Sequence, residues 1–262
     1  MANRVSLHLA SPDGSNESVL ADQAIHLGSP NWSISGAGPF WSPDGTRLAF
    51  GFGELHTVSR DGLGLTKVSS PEFAARPQWS PLGKYLAWVE FGPRRRDRWL
   101  TVSLADGSIP WRVSGSHMAV SFRWSPDGTR IAFAGAQELD DDLEIFTGAA
   151  DGTDWKNVSN AMGYDGEVTW PTGSTNVYFT STRTKALELY AARSDGSGSW
   201  VALRSMRIER QVVWSSTGHA FAFTGGRSGT GQRAIWVANR DGSGLRKISG
   251  EGEASEPVWA PR

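Results

Sequence analysis

The sequence predicts an all-β fold, a six-bladed β-propeller of four-stranded antiparallel blades, and two repeated markers carry that prediction. The first marker is the phrase Trp-Ser-Pro-Asp-Gly, complete at residues 41–45 and 124–128, with altered copies that begin at Trp79, Trp170, Trp214 and Trp259. Successive tryptophans of this phrase stand 38, 45, 46, 44 and 45 residues apart. A constant period in the low forties is typical of propeller blades, because each repeat is one small sheet that stacks on its neighbours.

The second marker is an Asp-Gly pair later in each repeat. It recurs at residues 61–62, 106–107, 151–152, 195–196 and 241–242, always 17 or 18 residues before the next repeat tryptophan. Asp-Gly is typical of a tight turn, because glycine accepts a positive φ and aspartate bonds the nearby backbone. Two independent markers in one register favour a true structural repeat.

The third copy shows how one repeat makes four strands. Residues 122–124 alternate as an innermost strand, and Ser125-Pro126-Asp127-Gly128 supplies the turn that follows. Residues 131–135 form an apolar second strand, residues 143–147 alternate as a third, and residues 155–159 form the outer strand. Four short strands per repeat are typical of one propeller blade.

The chain ends are expected to share one composite blade, made of residues 1–31 and 257–262. Residues 7–16 match the back half of a blade, 235–244, whereas residues 257–262 match only a first strand. Pairing of the N- and C-terminal strands would close the ring and cover its open edges. The other five blades are expected to start near residues 40, 78, 123, 169 and 213, within a single domain over 1–262.

Composition excludes several classes of function. The net charge of −1 argues against a nucleic-acid surface, which needs a basic excess. The chain has no run of 18 apolar residues and no leader-like apolar start, so it is expected to be cytoplasmic, or periplasmic if a leader has been removed. Without cysteine it has no disulfide, thiolate metal site or cysteine nucleophile. We expect a monomer.

The repeat resembles the TolB-type family of WD-like propellers. The resemblance rests on the Trp-Ser-Pro-Asp-Gly phrase, the Ile/Leu-Ala-Phe strand that follows, as at residues 131–133, and the later Asp-Gly turn, and it covers roughly residues 5–262. Such propellers occur in TolB, in the tricorn protease and beside prolyl-oligopeptidase catalytic domains. The resemblance implies the fold, and it implies protein–protein binding or docking more readily than catalysis, since the motif marks turns and packing rather than a site.

No catalytic or metal-binding motif stands out. The sequence lacks a Gly-x-Ser-x-Gly elbow, a His-Glu-x-x-His pair, a phosphate-binding Gly-Lys-Ser/Thr and an aspartate-rich calcium loop. Its five histidines fall at different places in their repeats, whereas a metal on a propeller axis needs ligands at equivalent positions. We therefore predict no cofactor and no metal.

The tryptophans divide into two groups. Those of the repeat are expected to pack between neighbouring blades, because a large flat ring fills the space between twisted sheets. A role in stacking on a ligand is reserved for tryptophans outside the repeat, namely Trp32, Trp99, Trp111, Trp155 and Trp200.

The candidate binding residues lie in the loops that enter the innermost strands, around one mouth of the expected channel. Three residues before the repeat tryptophans stand, in chain order, Gly38, Arg76, Ser121, Glu167, Gln211 and Glu256. The same loops carry Glu72, His117, Tyr164, Asp165, Glu209, Arg210 and Glu253. Trp32 is included because its loop is longer than its counterparts. Water in the channel is a simpler reason for polar residues at these positions.

The sequence therefore predicts a non-catalytic binding or scaffold propeller that recognises a protein or peptide segment at the channel mouth. One alternative is a small propeller enzyme, a lyase or hydrolase acting on a sugar or lactone through mouth carboxylates such as Glu167 and Glu256. Another is a detached propeller module of a larger peptidase.

Overall fold

The computed structural model consists of β-strands and turns throughout the part of the chain that it describes. The described residues are 4–11, 13–24, 39–50, 54–69, 74–94, 97–115, 118–136, 141–204, 206–209, 212–227, 233–250 and 256–260. None of them belongs to a helix long and apolar enough to cross a membrane. They divide into two compact units, Met1–Ala119 and Val120–Arg262.

The first unit contains one hairpin and two four-stranded sheets. The hairpin pairs β1 (Arg4–Leu9) with β2 (Ser18–Ala24). The first blade runs in the order β3 (Phe40–Trp41), β4 (Arg47–Phe50), β5 (His56–Ser59) and β6 (Thr66–Lys67). The second blade runs in the order β7 (Ala74–Trp79), β8 (Tyr85–Phe91), β9 (Arg98–Leu104) and β10 (Trp111–Arg112).

The second unit contains two more four-stranded sheets and one five-stranded sheet. The third blade has β11 (Met118–Trp124, whose first two residues precede the unit boundary), β12 (Arg130–Ala136), β13 (Glu144–Ala149) and β14 (Lys156–Asn157). The fourth has β15 (Asp165–Thr169), β16 (Asn176–Ser181), β17 (Glu188–Arg193) and β18 (Ser199–Leu203). In the fifth, β19 (Met206–Ile208) and β20 (Val213–Trp214) both pair β21 (Ala220–Arg227), which continues to β22 (Ala234–Asn239) and β23 (Arg246–Lys247).

These sheets confirm the predicted fold class, all-β with four-stranded antiparallel blades. Residues 256–260 form no strand. The pairing of the two chain ends and the single domain over the whole chain therefore stay predictions.

The Trp-Ser-Pro-Asp-Gly turns form through side-chain bonds to nearby backbone and hydroxyl groups. In the first blade, the Asp44 carboxylate accepts hydrogen bonds from the Ser42 hydroxyl at 2.5 Å and from the amide and hydroxyl of Thr46 at 3.1 and 2.9 Å. These bonds, the Ser42 hydroxyl first, lower the pKa of Asp44. The next residue, Gly45, takes the positive φ that the turn requires. The turn is thus determined by the five residues 42–46.

Three repeat tryptophans lie between neighbouring blades, as predicted. The Trp79 indole donates to the carbonyl of Phe40, at 2.9 Å, and the Trp214 indole donates to the Thr169 hydroxyl, at 3.0 Å. Trp259 repeats the pattern with the carbonyl of Val213, at 2.9 Å. In each case the acceptor belongs to the innermost strand of the preceding blade, so the ring fills the space between blades while its N–H is satisfied. Trp170 differs, because it donates to Ser174 within its own turn.

Ile109 occupies a turn position that requires a left-handed backbone. The third residue after the aspartate of each Asp-Gly turn has a positive φ, and elsewhere it is one of Asn16, Gly64, Asp154, Gly198 and Gly244. Ile109 takes the same conformation, with φ at 51°, although it is β-branched and 69% exposed. A β-branched residue in this region clashes with its own backbone.

We expect Ile109→Asn to raise the free energy of unfolding by about 1 kcal/mol, because asparagine tolerates this conformation. Urea titration measures the change. Leu63→Asn is the matched control, since Leu63 is equally exposed in the corresponding turn but has no positive φ. An equal gain from both substitutions would contradict the strain argument.

Candidate functional site

Of the predicted mouth residues, some lie outside the described part of the chain and others are well placed by the structure. Those outside it are Trp32, Glu72, His117, Arg210 and Gln211, together with Gly38 and Glu253. The described ones are Arg76, Ser121, Tyr164, Asp165, Glu167, Glu209 and Glu256.

Arg76 lies in a β-bulge of the innermost strand of the second blade. Ala75 pairs with Val89 and Gln78 with Ala87, so two residues of β7, Arg76 and Pro77, stand opposite one residue of β8. The backbone at Arg76 is left-handed, with φ at 59°, and its side chain is exposed. A bulge of this kind changes the direction of a side chain at the end of a strand.

Glu167 repeats this geometry in the fourth blade. Gly166 pairs with Thr180 and Thr169 with Tyr178, so Glu167 and its successor face a single residue of β16. Glu167 is exposed and has φ at 47°. Glu256, at the equivalent place before Trp259, is also exposed and has φ at 60°. Ser121 is the exception, since it is half-buried and its φ is not positive.

The left-handed backbone at these charged residues is the main structural finding of the site. Glycine adopts this conformation without steric cost, whereas each other L-residue loses about 1 kcal/mol or more. A strained residue that persists at the end of a strand is a recognised feature of binding and active sites. Sequence reasoning located the position three residues before tryptophan, but it did not find the bulge or the strain.

The fourth blade brings Tyr164 and Glu167 together. The Tyr164 ring covers Gly166 so closely that a Cβ added there would stand 2.8 Å from ring carbon Cε1. Burial, and then the negative charge of Glu167, raise the pKa of the Tyr164 phenol. The ring is still 47% exposed, so the strand entry presents an aromatic face beside a carboxylate.

Asp165, which was predicted among the binding residues of the channel mouth, does not lie at the surface. Its side chain is fully buried, and its carboxylate accepts a hydrogen bond from Arg183 Nη2 at 2.8 Å. The same Arg183 nitrogen donates to the carbonyl of Ser159, at 2.9 Å. Asp165 is buried because Arg183 compensates its charge, and the pair holds the entering loop against its blade.

Arg183 is a structural residue that the sequence analysis missed. It lies in the hairpin between β16 and β17, and its guanidinium stacks on Tyr190 at 4.8 Å and on Phe179 at 5.5 Å. It stands 18 residues after Asp165, and no motif links the two positions. Only the folded blade brings them into contact.

Glu209 forms an ion pair of a different kind. Its carboxylate lies 2.9 Å from Arg233 Nε, and about a third of each side chain is exposed. A partly exposed pair contributes little stability, about 0–1 kcal/mol. Across the described residues, no group of three or more His, Asp or Glu side chains is arranged to hold a metal ion.

The described tryptophans outside the repeat differ in how they are covered. Arg112 stacks on the ring of Trp99 at 3.7 Å, Tyr85 meets Trp111 edge-on at 5.9 Å, and Phe133 contacts Trp155 at 5.0 Å. Trp200 is 41% exposed. Among these four candidates for stacking on a ligand, Trp200 has the most accessible ring.

Comparison with known families and structures identifies relatives of the fold. The sequence profile described as the TolB beta propeller domain matches residues 53–262. Comparison with curated proteins finds no match. The putative TolB from Agrobacterium tumefaciens is 18% identical, with a TM-score of 0.57 over 93% of this chain and 88% of that one.

Two enzymes also contain a similar fold. A puromycin-hydrolyzing peptidase from Mycobacterium tuberculosis is 16% identical, with a TM-score of 0.64 over 82% of this chain and 37% of that one. An oligogalacturonate lyase in complex with manganese is 12% identical, with a TM-score of 0.62 over 94% of this chain and 72% of that one. The chain therefore spans little more than a third of the peptidase. At these identities the likeness concerns the fold alone.

Proposed function

Because the chain belongs to the TolB beta propeller domain family, we propose that it is a non-catalytic binding protein that engages a peptide segment of a protein partner. The contact surface is the entry end of the innermost strands of the second unit, best described at Tyr164 and Glu167 of the fourth blade. One observation carries the proposal: charged side chains occupy left-handed positions at Glu167, which lies in a bulge, and at Glu256, and Arg76 has the same bulge geometry in the first unit. A role in recognition explains why these positions are not glycine.

The chemistry of this surface suits a positively charged segment. Of the three left-handed positions three residues before a repeat tryptophan, the two in the second unit, Glu167 and Glu256, are both acidic. The half-exposed Tyr164 ring beside Glu167 offers a face for a cation or an aliphatic stem. Since the bulge is part of a paired strand, the backbone at Glu167 is fixed before the partner arrives, which lowers the entropic cost of binding.

The test is a pull-down from the native lysate with the double variant Glu167→Gly/Glu256→Gly, read by mass spectrometry. Glycine keeps the left-handed backbone, so the variant removes two carboxylates without disturbing the bulge. We expect it to lose, by about tenfold or more, a partner that the wild type retains, as the loss of about 1.4 kcal/mol of binding would cause.

Asp154→Gly is the matched control. Asp154 is also acidic and left-handed, with φ at 55°, but it lies in the turn before β14 rather than at a strand entry. The control should capture the partner as the wild type does. Capture that is equal for all three proteins would contradict the proposed surface.

The enzymatic alternative and the detached-module alternative stay predictions, and the similar folds of the peptidase and the lyase support them. Turnover of a sugar, lactone or peptide by the purified chain, abolished in Glu167→Gly/Glu256→Gly, would replace the binding proposal. Cell fractionation separates the cytoplasmic from the periplasmic prediction.

A further inference from the structure

A groove of about 640 Å³ lies in the second unit, between the fourth and fifth blades. It is at the end of the fourth blade where β15 finishes and β16 begins, opposite the strand entry at Asp165. One wall is the exposed ring of Trp200. The other lining residues that bear on its chemistry are Asn176, His219, Arg240 and Asp241. Its volume is within the range of sites for small ligands or single side chains.

The second blade shows how the corresponding position is filled. Tyr85 of β8 pairs with Leu104 of β9, and Trp111 of β10 pairs with Val102 of β9. Val102 precedes Leu104 by two residues on β9. There the Tyr85 ring meets the Trp111 ring edge-on, with 5.9 Å between centroids and 89° between planes. Tyrosine and tryptophan thus cover each other within one blade.

The fourth blade has the same register but lacks the tyrosine. Asn176 of β16 pairs with Arg193 of β17, and Trp200 of β18 pairs with Ala191, which precedes Arg193 by two residues on β17. Asn176 therefore occupies the place of Tyr85, and Trp200 that of Trp111. Asparagine is too short to reach across the indole, so Trp200 stays exposed and the groove stays open.

The walls of the groove are held rigidly. Arg240 donates to the backbone carbonyls of Gly218, Gly173 and Thr172, at 2.5, 3.3 and 3.1 Å. Asp241 accepts bonds from the amide and hydroxyl of Ser243, at 2.9 and 2.6 Å. The two bonds from Arg240 to Gly173 and Thr172 join the fifth blade to the fourth, so the open volume exists before any ligand enters.

The rim is polar. The His219 imidazole is exposed and has no hydrogen-bond partner among the described residues. Arg240 and Asp241, which carry opposite charges, both line the groove, and this favours a neutral occupant with a hydroxyl over a charged one. A planar ring with a polar end matches an indole wall and a polar rim.

We infer that this groove binds a tyrosine side chain of a protein partner, which covers Trp200 as Tyr85 covers Trp111. The inference rests on the proposed binding function and adds a second contact at the other end of the blade. The experiment below uses a small probe and does not involve Glu167 or Glu256, so the groove and the strand-entry surface can fail separately.

The probe is N-acetyl-L-tyrosinamide, titrated into ¹⁵N-labelled protein and followed through the indole N–H signals. Trp200→Phe identifies the Trp200 signal by its loss. We expect that signal to shift with a Kd on the order of 1 mM, as for a ligand of this size. N-acetyl-L-leucinamide, which has no ring, should bind about fivefold or more weakly.

Two variants at one position complete the test. Asn176→Tyr restores the residue found in the second blade and should weaken probe binding by about tenfold or more, because the new ring occupies the groove. Asn176→Ser leaves the groove open and should bind within about twofold of the wild type. Melting curves establish whether the two variants are folded. If Asn176→Tyr does not fold, Trp200→Ala takes its place and should lose binding of the probe. Any one of three results would overturn the inference. The Trp200 signal does not shift, the leucine probe binds as tightly as the tyrosine probe, or Asn176→Tyr binds the tyrosine probe as tightly as the wild type does.

Discussion

Asp165→Ala is expected to lower the free energy of unfolding by about 3–5 kcal/mol, because it leaves a desolvated guanidinium without its counter-charge. Asp165 is fully buried, and only 14% of the Arg183 side chain is exposed. The remaining contacts of Arg183, with Ser159 and with the rings of Tyr190 and Phe179, do not neutralise it. Urea titration followed by tryptophan fluorescence measures the loss.

A second variant separates the charge from the packing. Asp165→Ala/Arg183→Met removes both charges and should recover most of the stability, since replacing a buried pair by apolar groups is often neutral. Glu209→Ala, which breaks the partly exposed pair with Arg233, should cost only about 0–1 kcal/mol. If Asp165→Ala costs no more than Glu209→Ala, the buried pair does not hold the loop as argued.

Gly218→Ala is expected to lower the free energy of unfolding by about 3 kcal/mol, from a left-handed backbone and a steric clash together. Gly218 has φ at 65°, and a Cβ there would stand 2.3 Å from the carbonyl oxygen of Thr172 in the fourth blade. That carbonyl also accepts a hydrogen bond from Arg240, so it cannot move away without breaking the bond. Thermal or urea unfolding detects the change.

Gly45→Ala is the matched control for this clash. Gly45 occupies the same turn position in the first blade, with φ at 68°, but a Cβ there meets no atom within 4 Å. It should cost about 1 kcal/mol, the strain of the backbone alone. The difference between the two variants measures how tightly the fourth and fifth blades approach each other, and equal losses would contradict a close approach.

The repeat made most of the fold predictable. Asp44 contacts Ser42 and Thr46, all within one turn, so the sequence contains every group that forms it. The same is true of Asp241 and Ser243 in the later turn. The position of Trp79 against the preceding blade was also predictable, because a ring at a fixed place in each repeat has to meet the neighbouring sheet.

The candidate site was predictable only in part. The sequence located Glu167 at the entry of its strand, but the bulge follows from the pairing of Gly166 with Thr180 and Thr169 with Tyr178, which is not a local property. It also placed Asp165 beside Glu167 among the binding residues of the channel mouth, although Asp165 is buried. A run of Tyr-Asp-Gly-Glu has no feature that separates the buried carboxylate from the exposed one, because the partner that buries it stands 18 residues away.

By itself, then, the sequence determined the all-β class, the blade period, the turns and the place of Trp79, Trp214 and Trp259 between blades. These features depend on contacts within a few residues or on the period itself. Only the tertiary structure decided which acidic residue is buried, which positions are strained, and where a groove stays open. Trp111 and Trp200 occupy the same place in their repeats, yet one is covered by Tyr85 and the other lies beside Asn176. Burial and exposure depend on side chains from distant strands, and these meet only when the sheets pair in register.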